Sequence, residues 1–258
     1  MPAPISPQHG AGTSLSTSSS AKVPDDGPVS PTFSSLTRCL VLIPVRNEGS
    51  TIGKVVAGCR RLGATVWIID NGSTDATPSA AAMAGARVLT CSSAVGGKTA
   101  ALRFGLSQLS PNSEWDWICF MDGDGQHRPE ELPVLWAAAR QGADVVLGNR
   151  FPSSGTMPFA RFWTNRMMSS FLNMLGGGNA PDTQCGYRLV RRSVLQGWLP
   201  SGRHYEFETE LYLRALNQGA EVQSVPIPTI YAGERSKIFW PRDSLRFLAC
   251  IWRYITTR

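Results

Sequence analysis

Residues 117–133 read WICFMDGDGQHRPEELP. An apolar run from Trp117 to Met121 ends abruptly in Asp122 and Asp124, with only Gly123 between them. Such a run before a polar turn predicts a strand buried on both faces. Pro129 then opens a predicted helix over PEELPVLWAAARQ, since proline is tolerated and preorganised in a first helical turn. Strand, polar loop and helix make one unit of an alternating α/β chain. Two carboxylates this close repel each other. A divalent cation would cancel the repulsion, because Mg2+ or Mn2+ takes oxygens from one or two carboxylates and the rest from substrate phosphates. The same Asp-Gly pattern also makes a plain turn, so both readings stand at this point.

The same alternation continues outward in both directions. CLVLIPV (39–45), TVWIID (65–70), ARVLTC (86–91) and ADVVLG (143–148) read as further buried strands. Between them, Ile52, Val55, Val56, Cys59 and Leu62 recur at helical spacing up to Gly63, and ATPSAAAMA and KTAALRFGLSQL supply two more helices. The pattern predicts an α/β fold with a mostly parallel, Rossmann-like sheet flanked by helices. Ligands of such sheets sit beyond the carboxyl ends of the strands. RNEGS (46–50), DNGSTD (70–75), SSAVGGK (92–98) and DGDGQH (122–127) therefore all belong on one rim.

The second half is less regular. PFARFWTNRMMSSFLNMLGGG (158–178) predicts a helix stopped by glycines, DTQCGYRLV (182–190) a loop entering a strand, FETELYLRALNQG (207–219) a helix, and AEVQSVPI (220–227) a strand. Residues 1–36 are rich in Ser, Thr, Pro and Gly and lack apolar periodicity, which predicts a disordered tail with no secretory signal pattern. The folded domain is expected over 37–258: a regular α/β half at 37–150, a less regular half at 151–240 and an amphipathic helix at 241–258. That last segment fits either a membrane interface or the protein's own surface.

The 258 residues carry 25 Lys and Arg against 19 Asp and Glu, a net charge of +6, which suggests an anionic partner. No interleaving of aromatic and basic residues marks a nucleic-acid platform, so nucleic acid is not an expected partner. The six cysteines are scattered and lack metal-ligand spacing, as in a reduced cytoplasmic protein. No run approaches the ~18 apolar residues of a membrane span.

LIPVRNEGSTI, IIDNGSTDAT, GGKTAALRFG, MDGDGQHRPE, VLGNR and DTQCGYRL occur in that order. Together they resemble the family 2 glycosyltransferases of GT-A fold, in particular the dolichyl-phosphate mannose synthases and bacterial polyprenyl-phosphate sugar transferases. The resemblance implies inverting, metal-dependent transfer of a sugar from a uridine or guanosine diphosphate donor to a polyprenyl phosphate. It implies Asp122, Asp124 and Gln126 at the metal, with Gly123 beside the donor, and Pro44, Asn47, Glu48, Asp70 and Asn71 around the nucleoside. Asn71 stands where relatives carry a second aspartate. Lys98 is expected at the donor phosphates, or else as a solvated lysine at a helix start. His127 is expected to orient rather than catalyse, and Asp75 to cap.

Arg150, Arg166 and Ser170 are expected at the acceptor phosphate, with Arg235, Ser236 and Lys237 as a basic loop of weaker match. Asp182 and Glu210 match acidic positions near the acceptor, with Glu206 and Glu208 as close neighbours; either would serve as base for a hydroxyl acceptor. Gln184 and Arg188 are lesser candidates, and Tyr187 is expected in the core. The implied setting is the cytoplasmic face of a membrane, peripherally bound, with or without a membrane-protein partner. The other readings are transfer to a hydroxyl on a lipid or pigment-like molecule, and a non-catalytic nucleotide-sugar binder.

Overall fold

The computed structural model describes residues 33–91, 96–110, 112–202, 204, 206–228, 251, 252 and 256. Residues 1–32 of the expected tail, the loop 92–95, Arg235, Ser236, Lys237 and all but three positions of the 241–258 segment lie outside them.

The described residues build a seven-stranded sheet from β1 (Cys39–Val45), β2 (Thr65–Asp70), β3 (Arg87–Thr90), β4 (Trp117–Phe120), β5 (Val145–Asn149), β6 (Arg188–Arg191) and β7 (Val222–Pro226). Their order across the sheet is β3-β2-β1-β4-β6-β5-β7. β1 pairs in parallel with β2 and β4, β2 with β3, and β5 with β7. Only β6 runs antiparallel, against both β4 and β5. The helices are α1 (Ile52–Arg61), α2 (Thr77–Met83), α3 (Lys98–Ser107), α4 (Leu132–Arg140), α5 (Phe159–Gly176), α6 (Arg192–Leu195) and α7 (Phe207–Asn217).

Strand residues alternate between two apolar layers, as a period of two requires. Cys39, Val41, Ile43 and Val45 pack with Ile52, Val55, Val56 and Cys59 of α1 and with Leu132, Leu135 and Trp136 of α4. Leu40 and Leu42 face the other way, onto Ala101, Leu102 and Leu106 of α3 and Phe207 and Leu211 of α7. With both faces covered, the strands have no polar side, which is why they read as continuous apolar runs. Pro44 falls beyond the stretch over which β4 pairs with β1.

The packed structure starts slightly inside the stretch whose composition reads as tail. A 3-10 turn spans Phe33–Arg38, and Leu36 is buried in the core. At the other end, Ile251 is buried against the second layer while Trp252 is exposed. No helix of the described residues is long and apolar enough to cross a membrane.

Strand order reverses at β1: the chain builds outward through β2 and β3, then returns to place β4 on the opposite side. The crevice at the carboxyl ends of β1 and β4 is the topological switch point where ligands bind in sheets of this kind.

Candidate active site

Hydrogen bonds join the rim loops. After β1, Asn47 takes a left-handed backbone, φ 58°, which asparagine tolerates. Its Oδ1 accepts from Thr74 N at 2.8 Å, and its own N–H donates to Ser73 Oγ at 2.9 Å. Glu48 N donates to Thr77 Oγ1 at 2.8 Å. Asp75 accepts from Thr77 N at 2.9 Å, from the Thr77 hydroxyl, and from Gly49 N at 3.1 Å. The Thr77 hydroxyl and amide hold the Asp75 carboxyl below its ordinary range, in keeping with a turn-closing role. Asp70 is buried and accepts from Ser73 N at 3.1 Å. Asn71 donates its side-chain amide to Gly96 O at 2.7 Å, tying the loop after β2 to the one before α3. Asn47, Glu48, Asp70 and Asn71 thus lie on rim loops joined by hydrogen bonds, with Pro44 in the strand just before them.

The DGDG turn sits beside them. Asp124 closes the turn by accepting from Gln126 N at 2.9 Å, and Thr51 Oγ1 donates to Gly123 O at 2.8 Å. Gly123 is glycine for packing: a Cβ there would fall 2.6 Å from Val45 Cγ1. Its smallness seats the turn against β1.

Lys98 does not project into solvent. Its ammonium lies 2.5 Å from Asp122 Oδ1 and 2.7 Å from Glu208 Oε1. His127 Nε2 stands 3.6 Å from the other Asp122 oxygen, its ring tilted against that of Tyr187 with centroids 5.3 Å apart. His127 is buried, and Tyr187 is in the core as expected. Burial by itself would push the Asp122 carboxyl up; the Lys98 ammonium and His127 outweigh it and hold the carboxyl well below the usual range. Burial likewise works to lower Lys98, but Asp122 and Glu208 hold it above the ordinary lysine value.

On the acceptor side, Arg150 is buried rather than presented at the surface. It grips Asp182 through Nε to Oδ2 at 2.7 Å and Nη2 to Oδ1 at 2.9 Å. Asp182 also accepts from Arg150 N at 3.3 Å and Gln184 N at 3.2 Å. Arg166 and Ser170 are exposed on α5, and the Arg166 guanidinium lies 6.0 Å from the ring of Phe151, next to Arg150. The neighbouring Ser169 turns inward and bonds Thr183, its Oγ accepting from Thr183 N at 2.9 Å. Arg188, fully buried, donates to Cys185 O at 2.8 Å, Glu208 O at 2.8 Å and Thr183 O.

Glu210 departs from expectation. Its oxygens accept from Ser201 N at 2.6 Å, Ser201 Oγ at 2.9 Å and Gly202 N at 2.8 Å, pinning the segment before α7. Glu208, two residues earlier, is the glutamate that reaches Lys98. The reason is helical geometry: residues two apart on α7 point to different sides. The sequence offers no signal that chooses among Glu206, Glu208 and Glu210, which only packing resolves.

Among the described residues, no three His, Cys, Asp or Glu side chains group as a metal cage. What the turn offers is Asp122, Asp124 and the Gln126 amide, an all-oxygen or amide set on a half-buried loop. That donor chemistry fits Mg2+ or Mn2+, which keep most positions for water and phosphate.

A switch-point crevice lined by paired aspartates and a lysine, beside a buried arginine, is the arrangement of a GT-A glycosyltransferase. Glucosyl-3-phosphoglycerate synthase from Mycobacterium tuberculosis, solved with Mn2+, uridine diphosphate and phosphoglyceric acid, shares the fold with a TM-score of 0.64 at 23% identity, over 83% of this chain and 76% of its own. The family model for glycosyl transferase family 2 matches residues 40–199. Polyprenol monophosphomannose synthase of Mycolicibacterium smegmatis is 31% identical over 210 residues, 74% of this chain and 76% of its own. Undecaprenyl-phosphate mannosyltransferase of Micrococcus luteus is 30% identical over 206 residues, 74% of this chain and 82% of its own. The chain belongs to glycosyl transferase family 2, and it is a glycosyltransferase.

Proposed function

We infer that this enzyme transfers a sugar, with inversion, from a uridine or guanosine diphosphate donor to a polyprenyl phosphate held at a membrane surface. The names of its relatives support a polyprenyl-phosphate acceptor. The observation that carries the choice of a phosphate over a hydroxyl is the state of Asp182. Its two oxygens accept four hydrogen bonds, two of them from the Arg150 guanidinium. Four bonds fill the lone-pair sites of a carboxylate and leave none turned to an incoming hydroxyl. Glu210 is itself engaged, accepting three bonds from Ser201 and Gly202. A hydroxyl nucleophile needs a base within reach, whereas a phosphate monoester is already largely ionised at neutral pH, its second pKa being near ~6.

In this reading the loops around Asn47, Asp70 and Asn71 receive the nucleoside. Asp122, Asp124 and Gln126 would hold Mg2+ or Mn2+, which offsets charge on the departing diphosphate. Lys98 stands ready for the same phosphates. Arg166 and Ser170 meet the acceptor phosphate, with Arg150 and Asp182 as the buried wall behind them. Phe159, Trp163, Met167 and Phe171 recur every four residues on α5 and are exposed, which supports a peripheral contact with lipid near the acceptor.

The test is direct. The protein is incubated with Mn2+, a panel of radiolabelled nucleotide sugars, and either a polyprenyl phosphate or the corresponding polyprenol. Label extracted into organic solvent with the phosphate alone is the expected result. Label on the polyprenol alone overturns it.

A further inference from the structure

Two carboxylates, Asp122 and Glu208, share one ammonium, that of Lys98, at 2.5 and 2.7 Å. The mechanism above uses Asp122 and Lys98 but gives Glu208 no task. The surroundings show that its placement is built rather than incidental. Lys98 opens α3 and Glu208 lies in the first turn of α7, and Thr99 staples these two helix starts together. Its Oγ1 donates to His204 O and accepts from Phe207 N, both at 3.0 Å, while Thr99 N donates to His204 O at 2.9 Å. The Glu208 carbonyl is held by buried Arg188 at 2.8 Å. Gly186 closes the fourth side: a Cβ there would fall 2.5 Å from Asp122 Oδ2 and 2.9 Å from Lys98 Nζ. Lys98 therefore has little room in which to move except between its two partners.

The charges decide what this does. One positive and two negative groups leave the cluster with a surplus negative charge on the side of Asp122. A divalent cation arriving at Asp122 repels the ammonium. Without a second partner, Lys98 has two outcomes: it stays on Asp122 and competes with the cation, or it leaves the crevice.

We propose that Glu208 is a positioning residue that takes over Lys98 when Asp122 turns to the cation, keeping the ammonium beside the donor diphosphate. This rests on the donor chemistry of the proposed function, not on its acceptor. It makes two substitutions act in opposite directions on the same quantity. Removing the Glu208 charge leaves Lys98 wholly on Asp122 and weakens cation binding. Removing the Lys98 charge leaves both carboxylates uncompensated and strengthens it.

The experiment measures Mn2+ affinity by electron paramagnetic resonance, with uridine or guanosine diphosphate present, in the wild type, Glu208→Gln, Glu208→Asp, Lys98→Met and the double variant Lys98→Met with Glu208→Gln. Glu208→Gln is expected to weaken Mn2+ on the order of tenfold, with Glu208→Asp recovering part of the loss. Lys98→Met tightens Mn2+ while weakening the nucleotide, and the double variant returns Mn2+ towards the wild-type value. Unchanged Mn2+ affinity in Glu208→Gln overturns the proposal. So does weakening by both single variants, which is what a merely structural role produces, and so does a wild type that binds no Mn2+. Lys98→Met gives a reading even if Glu208→Gln does not fold, since unchanged or weakened Mn2+ there is equally fatal. If the Mn2+ pattern holds but no lipid phosphate receives label, the acceptor assignment fails and the role of Glu208 stands.

Discussion

Arg150 and Asp182 meet as a two-pronged pair at 2.7 and 2.9 Å, with Asp182 wholly buried and Arg150 nearly so. Removing one partner of a buried pair leaves an uncompensated charge. Asp182→Asn is therefore expected to cost about 3–5 kcal/mol of stability, seen as a lower denaturant midpoint. Any residual transfer should not recover as pH rises. A variant of full stability whose rate climbs steadily with pH would restore Asp182 as a base and a hydroxyl as acceptor.

Asp124 accepts from Gln126 N at 2.9 Å within its own turn, outside the strand before it and the helix after it. Asp124→Ala should keep its circular-dichroism spectrum and melting midpoint. Turnover should fall on the order of 10²–10³-fold, the worth of several kcal/mol of charge stabilisation. Normal turnover at saturating Mn2+ rules out the assignment.

Gly186 offers a steric probe of the same centre. Gly186→Ala pushes a methyl into Asp122 and Lys98. Overpacking of this sort costs ~1–3 kcal/mol, and nucleoside diphosphate affinity should drop with it. Titration calorimetry against uridine and guanosine diphosphates, together with thermal melting, checks both.

Arg166 and Ser170 are exposed on α5. Arg166→Ala and Ser170→Ala should raise KM for the lipid phosphate several-fold, more for the arginine, whose charge-assisted bond is the stronger. Nucleotide-sugar affinity should be unchanged. A loss of donor affinity instead would move these residues out of the acceptor site.

Burial pushes up the thiols of Cys39, Cys59, Cys91, Cys119 and Cys185, Cys59 to about 12 and Cys91 and Cys185 to about 11. At pH 8 a thiol titrating near 11 is about one part in a thousand thiolate, the reactive form. These five cysteines should resist iodoacetamide in the folded protein and label together on unfolding, as mass spectrometry would record. Rapid labelling of Cys59 or Cys119 in the native state contradicts the packing described.

The parallel part of the sheet was legible because strands covered on both faces leave long apolar runs, and each run here ends in a polar loop. That pattern puts the loops carrying Asp70, Lys98, Asp122 and Asp124 on one rim. Two things were not legible. RLVR shows no mark of running antiparallel, nor of wedging between β4 and β5, because strand direction is set by the path of the loop before it. Nor does EFETEL reveal which glutamate faces Lys98: three glutamates at alternate positions differ only in what they meet after folding. Gly123 was legible as a necessary glycine, but its reason, contact with Val45, belongs to packing between strand and turn.

β6 is laddered to β4 on one edge and β5 on the other, so both halves of the chain are stitched into a single plate. Enzymes that engulf their substrates by swinging one lobe over another bend at a hinge of a few residues. Here the seam is spanned by two ladders, so the distance between the Asp122 turn and the Arg150–Asp182 pair is set by the sheet itself. Admission and exit of the two substrates then fall to excursions of the rim segments, and variants that stiffen those segments should slow turnover without altering reach.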